Sequence, residues 1–453
     1  MPEERKLRKS LGVFDVTAIV SGIIIGAGVF AITGFAAKYA GALTWVSYVI
    51  GAIPVTLAGI STVALNLFYP VEGGESYVYP TRLVSKFFGF LSGWGMWLAI
   101  LGPVAITAFV FVLYTNMLPG LPFQFPIIGL ALLVCAVFFF INWAGVKTAS
   151  VIQNILFIIM VAGLAIYVVV GLFHINMDYV TMGSPGGWGG VMKGASMLIF
   201  AYGGLTLAAD LGEEAKEPVA HTISLGIILG IIIPALLYAS SAFVSTAVVP
   251  WDEFAASSAP YALVAEKMGI GGLVFIVIVA WAALLTSHNG EQAVASRIMF
   301  GLSRDKIITG KLTWINKHGI PGFALITTVL IAAFLIVFIA LSGTLEVIAD
   351  GIVTLFLYNW ILTHIAVLME PIKYPELYEK CRMHISRGWK AIIPIAGIIA
   401  SVVILPFLGW QALVFGAIIF GIGAVVYCIG YGRNRSEVDK LIGEWPRERY
   451  FKI

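Results

Sequence analysis

The stretch AALLTSHNGE, residues 282–291, sets hydroxyls, an imidazole and a carboxyl inside an apolar run. Ala283, Thr286 and Ser287 stand at i, i+3 and i+4, so on a helix they share one face of one turn and offer a backbone carbonyl and two hydroxyls. Hard oxygens of this kind suit a hard cation, although Ser and Thr in membrane helices also bond back to the preceding turn. His288 and Glu291, i and i+3, could form a proton-responsive couple; a polar cavity lining or a bond to a neighbouring helix is the plainer use of the pair. Without a third partner they are too thin a constellation for catalysis, and the chain is not read as an enzyme.

Two further stretches could do chemistry through their backbone. SGIIIGAGVF at 21–30 carries Gly22, Gly26 and Gly28 where an apolar helix should run unbroken, and FAYGGL at 200–205 carries Gly203 and Gly204. An interrupted helix exposes N–H groups that suit a carboxylate and C=O groups that suit an ammonium or a metal ion. Glycines also let helices pack closely, which accounts for either stretch alone. As corresponding members of two halves, they point to a transporter with a central site.

The elements that must position these groups follow from composition. The chain is 60% hydrophobic and 11% charged, with a mean hydropathy of +0.98, which excludes a soluble globular domain. Spans of ~20 apolar residues are needed to cross a bilayer, and roughly twelve windows qualify. They run near 14–36, 43–69, 87–115, 126–146, 149–172, 193–212, 222–248, 271–300, 322–342, 345–369, 391–408 and 411–431. The polar residues before the first window, and the absence of an obvious cleavage site after it, argue against a signal peptide. Of the 27 Lys and Arg, only Lys38, Lys193 and Lys267 fall on one side of the resulting topology, so both termini are expected in the cytoplasm. That asymmetry and basic tails beside anionic lipid explain the net charge of +3 without a nucleic-acid partner. Cys135, Cys381 and Cys428 lie far apart and offer no disulfide framework or metal spacing.

Taken in order, VSGIIIGAGVF, YPVEGGESYVY at 69–79, NWAGVKTA at 142–149, FAYGGL followed by GEEAKEP, and SRIMFGLSRDKII at 296–308 resemble the amino acid-polyamine-organocation (APC) superfamily of secondary transporters over most of residues 12–370. The resemblance implies the LeuT-type inverted-repeat fold: an all-α membrane protein of about twelve helices, a 5+5 inverted repeat with broken helices one and six, and two C-terminal helices. The expected core is 1–370, with repeats at about 12–172 and 193–370, followed by helices eleven and twelve at 371–432 and a cytoplasmic tail at 433–453. The resemblance implies that the amides of Ala27 and Gly28 receive a substrate carboxylate and the carbonyls of Ile24, Phe200 and Gly203 its amine. Phe200 would be an aromatic gate, with Tyr202 and the adjoining Ala201 beside it. It also implies a candidate sodium site of Gly22, Ile25, Ala283, Thr286 and Ser287.

Two positions depart from the family's pattern. Met160 stands where proton-coupled relatives and several exchangers carry a lysine, in a window, 149–171, without Lys, Arg, His, Asp or Glu, and Thr206 replaces a frequent acid after the sixth-helix break. The acidic run Asp210, Glu213, Glu214 and Glu217 reads as a solvated helix end. Glu72 with Glu75, and Glu346 with Asp350, read as interfacial pairs. Residues 250–269 read as a loop with a short amphipathic helix, and the C-tail as lying along the membrane surface.

The expected function is alternating-access transport of an amino acid, neutral because no charge adjoins either break, across the plasma membrane. Coupling would be to sodium, the one ion expected as a cofactor, or to protons. An amino acid or polyamine exchanger without ion coupling is the alternative, with Glu291 as the buried carboxylate an amine would use. An ion channel or an embedded enzyme is more remote, since no re-entrant filter segment is found.

Overall fold

The computed structural model describes residues 9–68, 74–118, 123–211, 214–269, 272–380 and 387–443. Glu72, Glu213, Cys381 and the end of the tail from 444 lie outside them.

Among the described residues the chain is helical without a strand, and the helices fall on the twelve apolar windows. The first span is Val13–Ile24, a π-helical turn Gly28–Ile32, and Thr33–Ala40. Unbroken spans follow at Thr44–Phe68, Lys86–Thr115, Ile127–Trp143 and Val146–Leu172. The sixth is Gly187–Tyr202 continued by a 3₁₀ turn, Leu205–Asp210. The seventh to tenth are Val219–Val248, Gly272–Arg304, Gly322–Ser342 and Leu345–Lys373, and the last two are Arg387–Leu408 and Trp410–Gly443. The loop at 250–269 holds two short helices, Trp251–Ala256 and Pro260–Lys267.

Layering follows polarity. In the twelfth span Ile418, Ile422, Val425 and Ile429 recur at helical spacing and are exposed, a stripe suited to lipid tails. The first and sixth spans are buried, packed among the second, fifth, seventh, eighth and tenth. That burial is what permits their irregular backbone, because non-helical segments at membrane depth survive only inside protein or beside a watery cavity. The last span bends at Asn434 and continues as a helix to Gly443, so this part of the tail docks on the protein: Asp439 accepts from Lys86 at 2.6 Å, and Glu437 pairs with Lys306.

Candidate functional site

The first helix stops at Ile24 because Ile25 takes φ −82° and ψ 87°, outside the helical region. The sixth stops at Tyr202, where a turn through Gly203 and Gly204 intervenes. The breaks meet with no clearance. A Cβ on Gly28 would lie 2.4 Å from Ala201 Cβ, and one on Gly203 would lie 2.0 Å from the Phe356 ring. Glycine here serves close approach of the two spans.

Beside this contact, where the two breaks face each other, lies a small cavity; the space not filled by atoms there is about 320 Å³ with open solvent included. Its apolar wall is Ile23, Ile24, Ala27, Ile100, Phe200 and Phe356, and its polar groups are Thr107, Ser287 and Glu291. Of the sequence-predicted substrate residues, Ile24, Ala27, Gly28, Phe200 and Gly203 line it. Ala201 and Tyr202 do not: Ala201 backs onto Gly28, and Tyr202 points its hydroxyl at Tyr48 O, 3.3 Å away. Two of the three carbonyls expected to meet an amine already hold internal bonds. Phe200 O accepts from Gly203 N at 3.2 Å, and Ile24 O accepts from Tyr238 Oη at 2.5 Å. The Tyr238 hydroxyl also lies 3.1 Å from Ala201 O, so one side chain of the seventh span caps carbonyls at both breaks.

On the eighth span Thr286 turns its methyl to the first break, and Ser287 bonds to it through its hydroxyl. A Cβ on Gly22 would strike Thr286 Cγ2 at 2.0 Å, and Ser287 Oγ donates to Ile23 O at 2.9 Å. Thr286 Oγ1 is buried without a hydrogen-bond partner, an orphaned hard oxygen beside a broken helix. A hard cation held here would need Thr286 and Ser287 together with the carbonyls of Ala283, Gly22 and Ile25, an all-oxygen set.

His288 and Glu291 do not form a couple. His288 presents Nδ1 to Val104 O at 3.0 Å and Nε2 to Gln292 Nε2 at 2.9 Å, the pattern of a neutral imidazole whose proton is on Nδ1. Glu291 faces the cavity instead, with Oε1 2.7 Å from Ser287 Oγ. The expectation that no charged side chain adjoins either break is therefore overturned. Spacing of i, i+3 sets neighbours on a helix but not the direction of their tips.

Two polar groupings complete the surroundings. Asn142 donates to Asn289 Oδ1 at 3.1 Å, Asn289 donates to Gln153 Oε1 at 2.7 Å, and Gln153 donates to Ala18 O at 3.2 Å, tying spans four, eight, five and one together. Amides inside apolar windows were the available sign, and no spacing rule pairs them. Met160 is buried in the fifth span. On the N-terminal face, Asp210 is fully buried and takes Ser76 N at 3.2 Å and Ser76 Oγ at 2.5 Å. Glu214 is buried against Arg297, at 2.8 and 3.2 Å. The solvated reading of that acidic run thus fails for both residues and holds for Glu217, which is exposed and paired with Lys9. Glu75 is buried as well, accepting from Thr363 at 3.1 Å, and Asp350 accepts from Lys193 at 2.8 Å.

Residues 11–430 match the amino acid permease family. The branched-chain amino acid permease BcaP of Bacillus subtilis (strain 168) is 25% identical over 96% of this chain and 96% of its own length. The branched-chain amino acid permease BcaP of Lactococcus lactis subsp. cremoris (strain MG1363) is 24% identical over 93% of this chain and 94% of its own. A methylthioribose transporter of Bacillus subtilis (strain 168) is 24% identical over 97% and 96%.

Proposed function

The chain belongs to the amino acid permease family of the APC superfamily, and on that premise we propose that it carries a neutral amino acid with an apolar side chain by alternating access, driven by an ion gradient. The observation that carries this is the cavity itself. It lies between two broken helices, its wall is mostly aliphatic and aromatic, and no basic side chain lines it. A zwitterion's carboxylate would sit at the amides opening the second half of the first span, at Ala27 and Gly28, and its side chain would face Ile100, Phe200 and Phe356. The branched-chain names of two relatives agree with such a wall. Spans one to five and six to ten would form the inverted repeats, with both termini in the cytoplasm as the Lys and Arg distribution indicates.

Coupling to sodium through the Thr286 and Ser287 set is the first arm of the proposal, and coupling to protons the second. One observation supports the sodium arm: the fifth span from Ala149 to Gly171 holds no Lys, Arg, His, Asp or Glu, and Met160 stands where the resemblance would put the lysine of proton-coupled relatives and several exchangers, which leaves room for a cation. The test is uptake of labelled leucine, isoleucine and valine into proteoliposomes under a sodium gradient, a proton gradient, or internal amino acid alone. Saturable uptake of at least one is expected. No uptake of these or of other neutral amino acids under any condition refutes the reading.

A further inference from the structure

We infer that Glu291 is an anionic subsite that takes a monovalent cation, either the ammonium of the substrate or an alkali ion, so that occupant and carboxylate neutralise each other. The inference rests on the cavity being the substrate site. Glu291 is 2% exposed and lines the cavity beside the first break. Its Oε1 accepts from Ser287 Oγ, whose single proton is also drawn to Ile23 O, and the other hydroxyl at the carboxyl, that of Thr107, donates at 2.8 Å to Pro103 O, so neither donor is given wholly to Glu291. One hydroxyl proton cannot serve both acceptors fully. Next to Ser287 in the chain, Thr286 Oγ1 is a buried oxygen without a partner. Oxygen acceptors therefore outnumber donors at this end of the cavity, which is what a cation site requires and what a purely apolar pocket does not.

The protein does not bring the balancing charge. A buried carboxylate needs a cation or a full set of donors, since its isolated charge costs several kcal/mol in a medium of low dielectric. The ionisable groups on the elements around the eighth span are engaged elsewhere or exposed. On its own helix, His288 is held by Val104 and Gln292, and Arg297 by Glu214. On the first span Asp15 takes Asn154 and Gly12 N, and on the fourth Cys135 takes Gln292. Tyr114, Tyr167 and Tyr261 bond to Phe30 O, Ser245 and Ser241. Tyr77 donates to Asp305, Asp210 accepts from Ser76, Glu75 from Thr363, and Lys86 binds Asp439. Lys147, Glu266, Lys267 and Lys311 are exposed. The balancing charge is therefore a proton on Glu291 while the site is empty, and a cation that enters takes that proton's place.

The test is thermal unfolding of the purified full-length protein in a detergent buffer whose only added cation is choline. Sodium chloride is titrated in one arm. In the other the probe is isoamylamine hydrochloride, which keeps the branched chain and the ammonium of leucine without its carboxylate. The wild type should be stabilised in at least one arm, and Glu291→Gln should shift that apparent affinity by about ten-fold or more. Glu291→Asp, which keeps the charge, should retain part of the response and thereby separates loss of the site from loss of the fold. Stabilisation by sodium alone assigns the alkali ion; stabilisation by the amine without sodium assigns the substrate's ammonium. If neither cation stabilises the wild type, or if both stabilise Glu291→Gln equally well, the inference is wrong. A protein that transports no amino acid but keeps a Glu291-dependent response would refute the functional reading and leave this site standing.

Discussion

The two sides of the cavity are closed by different chemistries: mainly aromatic on one, where the Lys193–Asp350 pair joins the starts of spans six and ten, and charged on the other. Toward the face away from the N-terminus, Tyr48, Tyr114, Tyr167, Tyr202, Tyr238 and Tyr261 are buried together. Tyr48 lies 4.8 Å from the Tyr238 ring, Tyr202 lies 5.2 Å from it, and their hydroxyls end on neutral carbonyls and hydroxyls. Toward the N-terminal face the closures are charged. Arg297 grips Glu214, and Arg82 grips Asp305 at 2.5 and 2.7 Å, while Ser10 N and Lys216 N each donate at 2.8 Å to pin the segment before the first span to the loop after the sixth. Neutral contacts between flat rings can slide with little change in solvation. A buried ion pair pulled apart in a dry interior leaves two bare charges, so it separates cheaply only when water arrives with the opening. If the molecule opens alternately at the two faces, opening at the N-terminal one would be coupled to hydration and opening at the other would depend more on ring packing.

That contrast can be broken most severely at Arg297. Arg297→Ala strands Glu214 in the interior and should cost about 3–5 kcal/mol of stability, while the double change with Glu214→Gln should recover much of the loss; unfolding midpoints of the three purified variants measure this, and equal losses would show that the pair is solvated. A smaller effect is expected on the aromatic side. Tyr238→Phe keeps the ring and removes the hydroxyl that caps Ile24 O and Ala201 O, at a cost of about 1–2 kcal/mol that stays the same from low to high salt. A loss that vanished in high salt would put charge where the structure has none. Weaker still are the exposed pairs Lys86–Asp439 and Lys306–Glu437, where Lys86→Ala should lower stability by about 0–1 kcal/mol at low salt and by less at high salt. The smallest effect belongs to Lys9 and Glu217. The ammonium bonded to Glu217 holds its carboxyl below the ordinary range, so its contribution is complete above the usual glutamate pKa and is lost as the pH falls through the lowered value. A pH titration of unfolding midpoints should show that acid-side loss diminished in Lys9→Ala.

Much of this architecture was legible in order along the chain. The apolar windows give the spans within a few residues, and the glycines at 22–28 and 203–204 mark the breaks, because both signals are local. The closures were not legible for the same reason inverted. Ser76 meets Asp210 across 134 positions, Glu214 meets Arg297 across 83, and Tyr238 meets Ile24 across 214. An acid in a run of acids reads as solvated until its cation is placed, and a tyrosine in an apolar helix reads as packing until its hydroxyl finds a carbonyl. Glycine was legible in position but only partly in purpose. Gly28→Leu, a natural way to fill the site, would first drive Ala201 away, so its effect on binding would report helix separation as well.

The Tyr238 hydroxyl carries one proton and faces two carbonyls, one from each broken span. Small sliding of one span past the other lets that proton trade its principal acceptor without the number of bonds changing, so the energy along that motion stays shallow. In mechanical terms the seventh span would serve as a bearing if the two breaks move against each other, with a single oxygen as its contact point.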